Sequence, residues 1–149
     1  MSKKVQEVVD SMIDVGVAAP LMPDSPLYED YFRGLSERRI TVRQCDDCNT
    51  LQWPPREICG ACQGSSFVPA DMPHEGEVYT YSIMYRAFHP AFTDSVPYGV
   101  VVVELAEGVR IIGRFVDSDP DSLECGQRME VVFDGLGDGS GSIAWRHIR

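Results

Sequence analysis

Apolar side chains at Val5, Val8, Val9, Met12 and Ile13 recur at i, i+3, i+4, i+7 and i+8, which predicts an amphipathic helix over residues 3–17. Ala18-Ala19-Pro20-Leu21-Met22-Pro23 follows as an extended linker, because each proline pushes its predecessor away from helical dihedrals. A helix this short and this far from a core is marginal alone, so it either folds back on its own domain or lends its stripe to a partner. A second helix has clear start signals. Ser25 caps it, Pro26 suits its first position, and Glu29 and Asp30 sit at the positive end of its dipole. Leu27, Tyr31, Phe32 and Leu35 form its apolar side, and it is expected to fade between Gly34 and Arg39.

Ile40 to Gln44 alternates like a strand, and Trp53-Pro54-Pro55-Arg56 reads as rigid, extended chain. After Phe67 the pattern is all-β. Glu77 to Tyr85 places Tyr79, Tyr81, Ile83 and Tyr85 on one face and Val78, Thr80, Ser82 and Met84 on the other. Tyr98 to Leu105 contains four consecutive valines, expected to be buried on both faces. Val109 to Val116 is the third strand, with Gly113 marking a bulge or a barrel corner. A polar connection with one helical turn spans Asp117 to Cys125, before strands at Arg128–Phe133 and Ser142–Ile148. Arg86–Val96 and the glycine-rich Gly135–Gly141 are loops. Five strands with a longer break between the third and fourth predict a mainly-β chain closing as a five-stranded OB-fold barrel.

Two C-x-x-C pairs precede that barrel: Cys45-Asp46-Asp47-Cys48 and, after ten intervening residues, Cys59-Gly60-Ala61-Cys62. Two residues between cysteines let the backbone turn so that both sulfurs reach one ion about 2.3 Å away. Four sulfur ligands leave no position for water or substrate, so the spacing points to one structural zinc per chain. Iron, which a rubredoxin-like knuckle also accepts, ranks second, and two disulfides third. Asn49 stands just after the first pair, where the chain needs a left-handed residue that asparagine tolerates. So short a ribbon buries little core, and its order is expected to come from the metal, which contributes about 10–16 kcal/mol in comparable modules. The chain thus divides into N-terminal helices at 1–39, a zinc ribbon at 40–68 and a barrel at 69–149. The fifth thiol, Cys125, reads as a small buried side chain beside a turn.

Charge narrows the function. The 149 residues carry a net charge of −10, and a chain this acidic repels a polyanion, so nucleic acid is an unlikely partner for folds that often bind it. The start, Met1-Ser2-Lys3-Lys4-Val5, is not an apolar export signal, and no stretch approaches the ~20 apolar residues that span a bilayer. The expected compartment is the cytoplasm, with no membrane partner, where paired cysteines bind metal rather than cross-link. His74 and His147 read as structural or solvated. His89 lies in the long loop with Phe88, Pro90 and Phe92, which either anchors a partner or pins the loop to its own barrel. The chain shows no nucleophile–base pair, phosphate-binding glycine loop or open metal site, so catalysis of its own is not expected.

Taken together, Tyr31-Phe32, the two cysteine pairs with Pro54-Pro55-Arg56 between them, Gly76-Glu77-Val78, Pro97-Tyr98 and Gly126 resemble a bacterial and archaeal family associated with acyl-CoA. Its members, long called a domain of unknown function, combine N-terminal helices, a rubredoxin-like zinc ribbon and a C-terminal OB barrel. The likeness covers about residues 25–149. It implies a non-catalytic accessory subunit in a hetero-oligomer with a thiolase, a sterol-carrier-type thiolase, an aldolase or a hot-dog-fold hydratase, supporting carbon–carbon bond chemistry on a CoA thioester. It also implies that Cys45, Cys48, Cys59 and Cys62 are the metal ligands. Arg86, Phe88, His89, Phe92, Arg110 and Arg114 are the candidates for partner or CoA contact. The sequence departs from the family at Asn49, where glycine is usual, at Gly60, where proline is frequent, and at Ile143-Ala144-Trp145, which lacks a Leu-Pro-x-Phe ending.

Overall fold

A computed structural model describes residues 25–87, 92–106, 108–134 and 142–148. The helix expected over 3–17 and the glycine-rich loop lie outside the described residues. Ser25 accepts a hydrogen bond from the Leu27 N–H at 3.4 Å, and Pro26–Tyr28 forms a tight 3-10 turn before helix α1 at Glu29–Ser36. The α1 end is wrapped by a bond from the Arg39 N–H to the Gly34 carbonyl at 2.8 Å, with Arg38 at φ 58. That is a Schellman-type cap whose left-handed position holds arginine instead of glycine. Gly34 has a separate reason: a Cβ there would overlap Thr41 Oγ1, so only glycine lets the helix lie this close to the first strand.

Strands β1 (Ile40–Cys45), β2 (Leu51–Gln52) and β3 (Phe67–Met72) form an antiparallel sheet in the order β2-β1-β3. β3 pairs with the whole of β1, from Ile40 opposite Met72 to Cys45 opposite Phe67, so it straddles the boundary expected at residues 68 and 69. Pro69 lacks an N–H and is tolerated because β3 is an edge. Beside it, Asp71 accepts hydrogen bonds from Arg39 at 2.7 Å and Thr41 at 2.8 Å, which hold its carboxyl below the usual carboxylate range. A folded-state value below the unfolded one means that the contribution is full above the ordinary aspartate range and lost as pH falls through the depressed value. Arg39 and Asp71 are about half exposed, so Asp71→Asn is expected to remove only about 0–1 kcal/mol of acid-dependent stability, measured by urea unfolding across that range.

The remaining strands are β4 (Glu75–Met84), β5 (Tyr98–Glu104), β6 (Arg110–Phe115), β7 (Arg128–Asp134) and β8 (Ser142–His147). They close as β4-β5-β6-β8-β7, with β7 returning to β4 and the β6–β8 pair parallel. This is the five-stranded OB barrel that the strand count and spacing predicted. Val78, Val101, Val103, Ile111, Phe115, Met129 and Trp145 fill it, and the same apolar cluster runs on through Met72, Val42, Ile40 and Leu35 into the ribbon sheet and α1. The ribbon therefore has more apolar support than its length suggested.

Several expectations change. The four valines of β5 alternate: Val101 and Val103 are fully buried, whereas Val100 and Val102 are half-buried on the outer face. A bulge between Val78 and Thr80 shifts the register of β4, so its two faces do not follow simple alternation. Gly113 pairs regularly with Val101 and is no bulge; its missing side chain makes room for Trp145. Trp53 and Pro54 bend the chain after β2 and are not extended. Cys125 is exposed, because Leu123 takes the buried position and residues 124–126 turn outward, with Gly126 at φ 84.

Gly76 sits where β4 is shared between β5 and β7, and a Cβ on it would overlap the Glu104 carbonyl oxygen. A backbone atom in a paired strand cannot give way cheaply. Gly76→Ala is therefore expected to cost about 1–3 kcal/mol, read as a lowered urea midpoint with unchanged metal content.

Candidate metal centre

Each C-x-x-C pair is built as the same small turn. In the first, the Cys45 N–H donates to the Thr50 carbonyl at 3.0 Å and the Asn49 N–H to the Cys45 carbonyl at 2.9 Å. In the second, the Cys59 N–H donates to Gly64 at 2.8 Å and the Gln63 N–H to Cys59 at 3.0 Å, five and four residues apart as before. Asn49 at φ 59 and Gln63 at φ 65 occupy equivalent left-handed positions. The sequence signalled the first through asparagine. Glutamine carries no such signal, and its position follows only from the repeat. Gln63→Gly removes the Cβ penalty and is expected to stabilise the ribbon by about 1 kcal/mol, measured as stronger retention of metal against a chelator.

The two turns face each other. Sγ of Cys45 lies 3.5 Å from that of Cys62, and Sγ of Cys48 lies 3.6 Å from that of Cys59. All four Sγ atoms lie within 4.8 Å of one another. A sulfur tetrahedron around zinc, with ~2.3 Å bonds, has edges of roughly 3.8 Å, so the donor set fits that ion without rearrangement. Backbone N–H groups point at the sulfurs, Ala61 to Cys59 and Gly64 to Cys62, each at 3.4 Å. These donors favour thiolate over thiol. A Cβ on Gly64 would displace the exposed Asp47 carboxylate and press on Cys62 Sγ at 3.3 Å.

The electrostatics show why the cluster calls for a cation. The Cys48 thiol is drawn down to about 6 by hydrogen bonding with Thr50, first through its hydroxyl, 3.2 Å away, and then its backbone, with a further contribution from Cys62. At Cys62 the Gly64 N–H also favours the thiolate, yet the neighbouring sulfurs of Cys48 and Cys45 push it up to about 12. One thiolate forms readily and raises the cost of the next. Four thiolates at this spacing coexist when a divalent ion neutralises them. Cys45 and Cys59 are buried, while Cys48 is half-buried and Cys62 exposed. Arg43 lies with its guanidinium 4.4 Å over the Phe67 ring, at the strand ends that carry Cys45.

An aromatic group clamps the ribbon to the helix. Tyr31 packs on Trp53 with ring centroids 4.5 Å apart and planes tilted by 44°, Tyr28 meets Trp53 edge-on at 6.1 Å, and Phe32 packs on Tyr31 at 5.4 Å. Burial pushes the Tyr31 hydroxyl up to about 12.

The model of the "ChsH2, rubredoxin-like zinc ribbon domain" matches residues 32–68, and that of the "ChsH2, C-terminal OB-fold domain" matches residues 70–134. A DUF35 domain-containing scaffold protein of Methanocaldococcus jannaschii is 36% identical over 104 residues, covering 68% of this chain and 73% of that protein. The chain belongs to the DUF35 scaffold family. A probable enoyl-CoA hydratase alpha subunit of Thermomonospora curvata is 36% identical over 106 residues, 71% of this chain. The DUF35 chain spans only about a third of that relative, 32% of its length. Among solved structures, the Ltp2-ChsH2(DUF35) aldolase is similar at a TM-score of 0.75 and 27% identity, over 86% of this chain and 98% of that one.

The four cysteines of this DUF35 chain come together. Arg110 and Arg114 lie on one face of β6, opposite Glu104 and Val100 of β5 and roughly 13 Å apart along the strand. Arg110 is already engaged, bonded to Glu104 at 2.6 Å with its guanidinium 3.5 Å over the Tyr79 ring. Arg86 is exposed just beyond β4, and Phe92 packs on Tyr98 of β5 with centroids 5.7 Å apart. Phe88 and His89 lie outside the described residues. His147 is held in the barrel wall, Nδ1 3.1 Å from Asp117 and Nε2 3.1 Å from Gln127 Oε1. Among the described residues, no helix is long and apolar enough to cross a membrane.

Proposed function

We propose that this DUF35 scaffold is a non-catalytic subunit that docks on a thiolase-like enzyme, a thiolase, sterol-carrier-type thiolase or aldolase, and supports carbon–carbon bond cleavage or formation on a CoA thioester. The observation that carries this reading is the likeness over nearly the whole length of the DUF35 chain in the Ltp2-ChsH2(DUF35) aldolase. The chemistry of the centre agrees. A closed set of four sulfurs supplies no Lewis-acid position and no activated water, so its work is mechanical. Cys45, Cys48, Cys59 and Cys62 hold one zinc, which fixes the two turns against each other. α1 then rides on the ribbon through Tyr31 and Trp53, and the ribbon shares its core with the barrel. The partner thus meets one stiff surface, and the reacting groups belong to the partner.

The loop that follows β4, with Arg86, Phe88, His89 and Phe92, is proposed to face that partner, and Arg114 to lie near the CoA phosphates. Arg110, neutralised by Glu104 and stacked on Tyr79, serves the barrel surface first. A second reading has a specific observation behind it: the similarity to an enoyl-CoA hydratase alpha subunit favours a hydratase partner. The test is to mix the zinc-loaded chain with the thiolase-like, aldolase and hydratase proteins encoded beside it and to follow complex formation by size exclusion. A stable complex with a thiolase-like or aldolase subunit is expected. Selective association with the hydratase favours the second reading, and association with none of them removes both.

A further inference from the structure

A cleft of about 280 Å³ opens beside the metal turns, walled by Leu51, Gln52, Trp53, Pro54, Arg56 and Gly60. Three independent features of it lack a partner. β2 is the edge of its sheet, with β1 as its neighbour on one side and no strand on the other among the described residues. Gln52 is only 7% exposed; its Nε2 donates to the Ile58 carbonyl at 3.4 Å, yet its Oε1 is buried with no hydrogen-bond partner among the described residues. A buried acceptor left unpaired is costly and calls for an explanation. Arg56 reaches over the second turn, with Nη1 3.9 Å from where a Cβ of Gly60 would stand. Its guanidinium faces no carboxylate among the described residues, whereas Arg33, Arg39, Arg110, Arg128 and Arg146 each have one. Arg38, Arg43 and Arg86 likewise have no carboxylate within ion-pair distance among the described residues, but of these four only Arg56 lines the cleft.

We infer that this cleft receives an extended acidic segment of the partner subunit: its backbone runs along the free edge of β2, a backbone N–H reaches Gln52 Oε1, and a glutamate or aspartate carboxylate pairs with Arg56. This deepens the docking reading and rests on it. The free edge suits strand addition, where main-chain bonds give affinity and side-chain contacts give specificity. The guanidinium is a two-pronged donor matched to a carboxylate. Arg56 is the one cation lining the cleft, and the neighbouring Arg43 is turned to the Arg56 carbonyl at 3.0 Å and to the Phe67 ring; that is too little for the several phosphate charges of CoA in so acidic a chain, so a single carboxylate is the better fit.

The experiment titrates the full-length, zinc-loaded chain with a blocked tetrapeptide of valine, glutamate, valine and threonine, with its glutamine counterpart, and with CoA. The signals followed by NMR are the Trp53 indole and the Gln52 side-chain amide. The glutamate peptide is expected to shift both and to bind about tenfold more tightly than the glutamine peptide, with Arg56→Gln abolishing that difference. Gln52→Leu, which keeps the cleft but removes the acceptor, is expected to weaken both peptides alike. Equal binding of the two peptides, no shift at millimolar concentration, or CoA occupying the cleft in preference to the glutamate peptide would overturn the proposal. A partner complex that forms undiminished with Arg56→Gln would also remove it while leaving the scaffold reading intact.

Discussion

Cys48→Ala or Cys59→Ala is expected to release the zinc, lowering metal content from about one per chain to near zero, and to melt β1, β2 and the two turns. The expected effect is large because metal binding in such modules contributes about 10–16 kcal/mol, as much as the whole stability of a typical domain. Without the ion, removing one thiol leaves three others crowded within 4.8 Å, where the first thiolate already opposes the next. The barrel is expected to persist. Its strands close on themselves from β4 round to β7, and its core around Trp145 owes nothing to the sulfurs. Elemental analysis with near-ultraviolet circular dichroism separates the two regions, since Trp53 reports on the ribbon and Trp145 on the barrel. Cys125→Ala is expected to retain full metal content, because that thiol is exposed on the turn before β7, in the barrel half of the chain.

The opposite lesion is expected from Trp145→Ala. The indole is fully buried on β8, opposite Phe115 of the parallel β6 and Val131 of β7. Truncating a buried tryptophan typically costs 3–5 kcal/mol, enough to bring the barrel close to unfolding at room temperature. Two companion variants show whether shape or hydrogen bonding is at stake. Gly113→Ala would place a Cβ 2.7 Å from Trp145 Cδ1 and 2.8 Å from Nε1, with the Ile143 carbonyl 3.0 Å away, so the indole has nowhere to retreat; about 1–3 kcal/mol is expected. Trp145→Phe removes an Nε1 that has no hydrogen-bond partner among the described residues, and its cost is expected to fall well below that of alanine. Urea midpoints rank the three, and zinc content is expected to stay unchanged in all of them.

Much of this architecture was legible because it rests on local rules. Ser25-Pro26 announced the turn that leads into α1 and its apolar side announced the helix, the cysteine spacing announced the four-thiol cluster, and apolar segments between turn signals announced the five barrel strands. What escaped the sequence reading depends on neighbours distant in the chain. β3 contains Pro69, which argues against a strand until the sheet order shows it to be an edge. β2 is two residues long, too short for any periodicity. The bulge after Val78 has no glycine to mark it, and Gly113 looked like a corner because the indole it accommodates, that of Trp145, comes from thirty-two residues further on. Arg110 and Arg114 share a residue type in the sequence, but strand register sets them four residues apart along β6 and gives Arg110 a carboxylate of its own. Arg56, embedded in the motif that carried the family resemblance, went unremarked as a charge; only the surrounding geometry shows that it lacks a partner.

A partner-binding titration tests the account most directly. Zinc-loaded wild-type chain and Cys48→Ala are each titrated into the purified thiolase-like or aldolase subunit by calorimetry, and the mixtures are assayed for thioester turnover. Saturable binding by the zinc-loaded chain, its loss in the variant, and turnover that requires the partner are the predicted results. Undiminished binding by the variant, or turnover of a CoA thioester by the zinc-loaded chain alone, would contradict it.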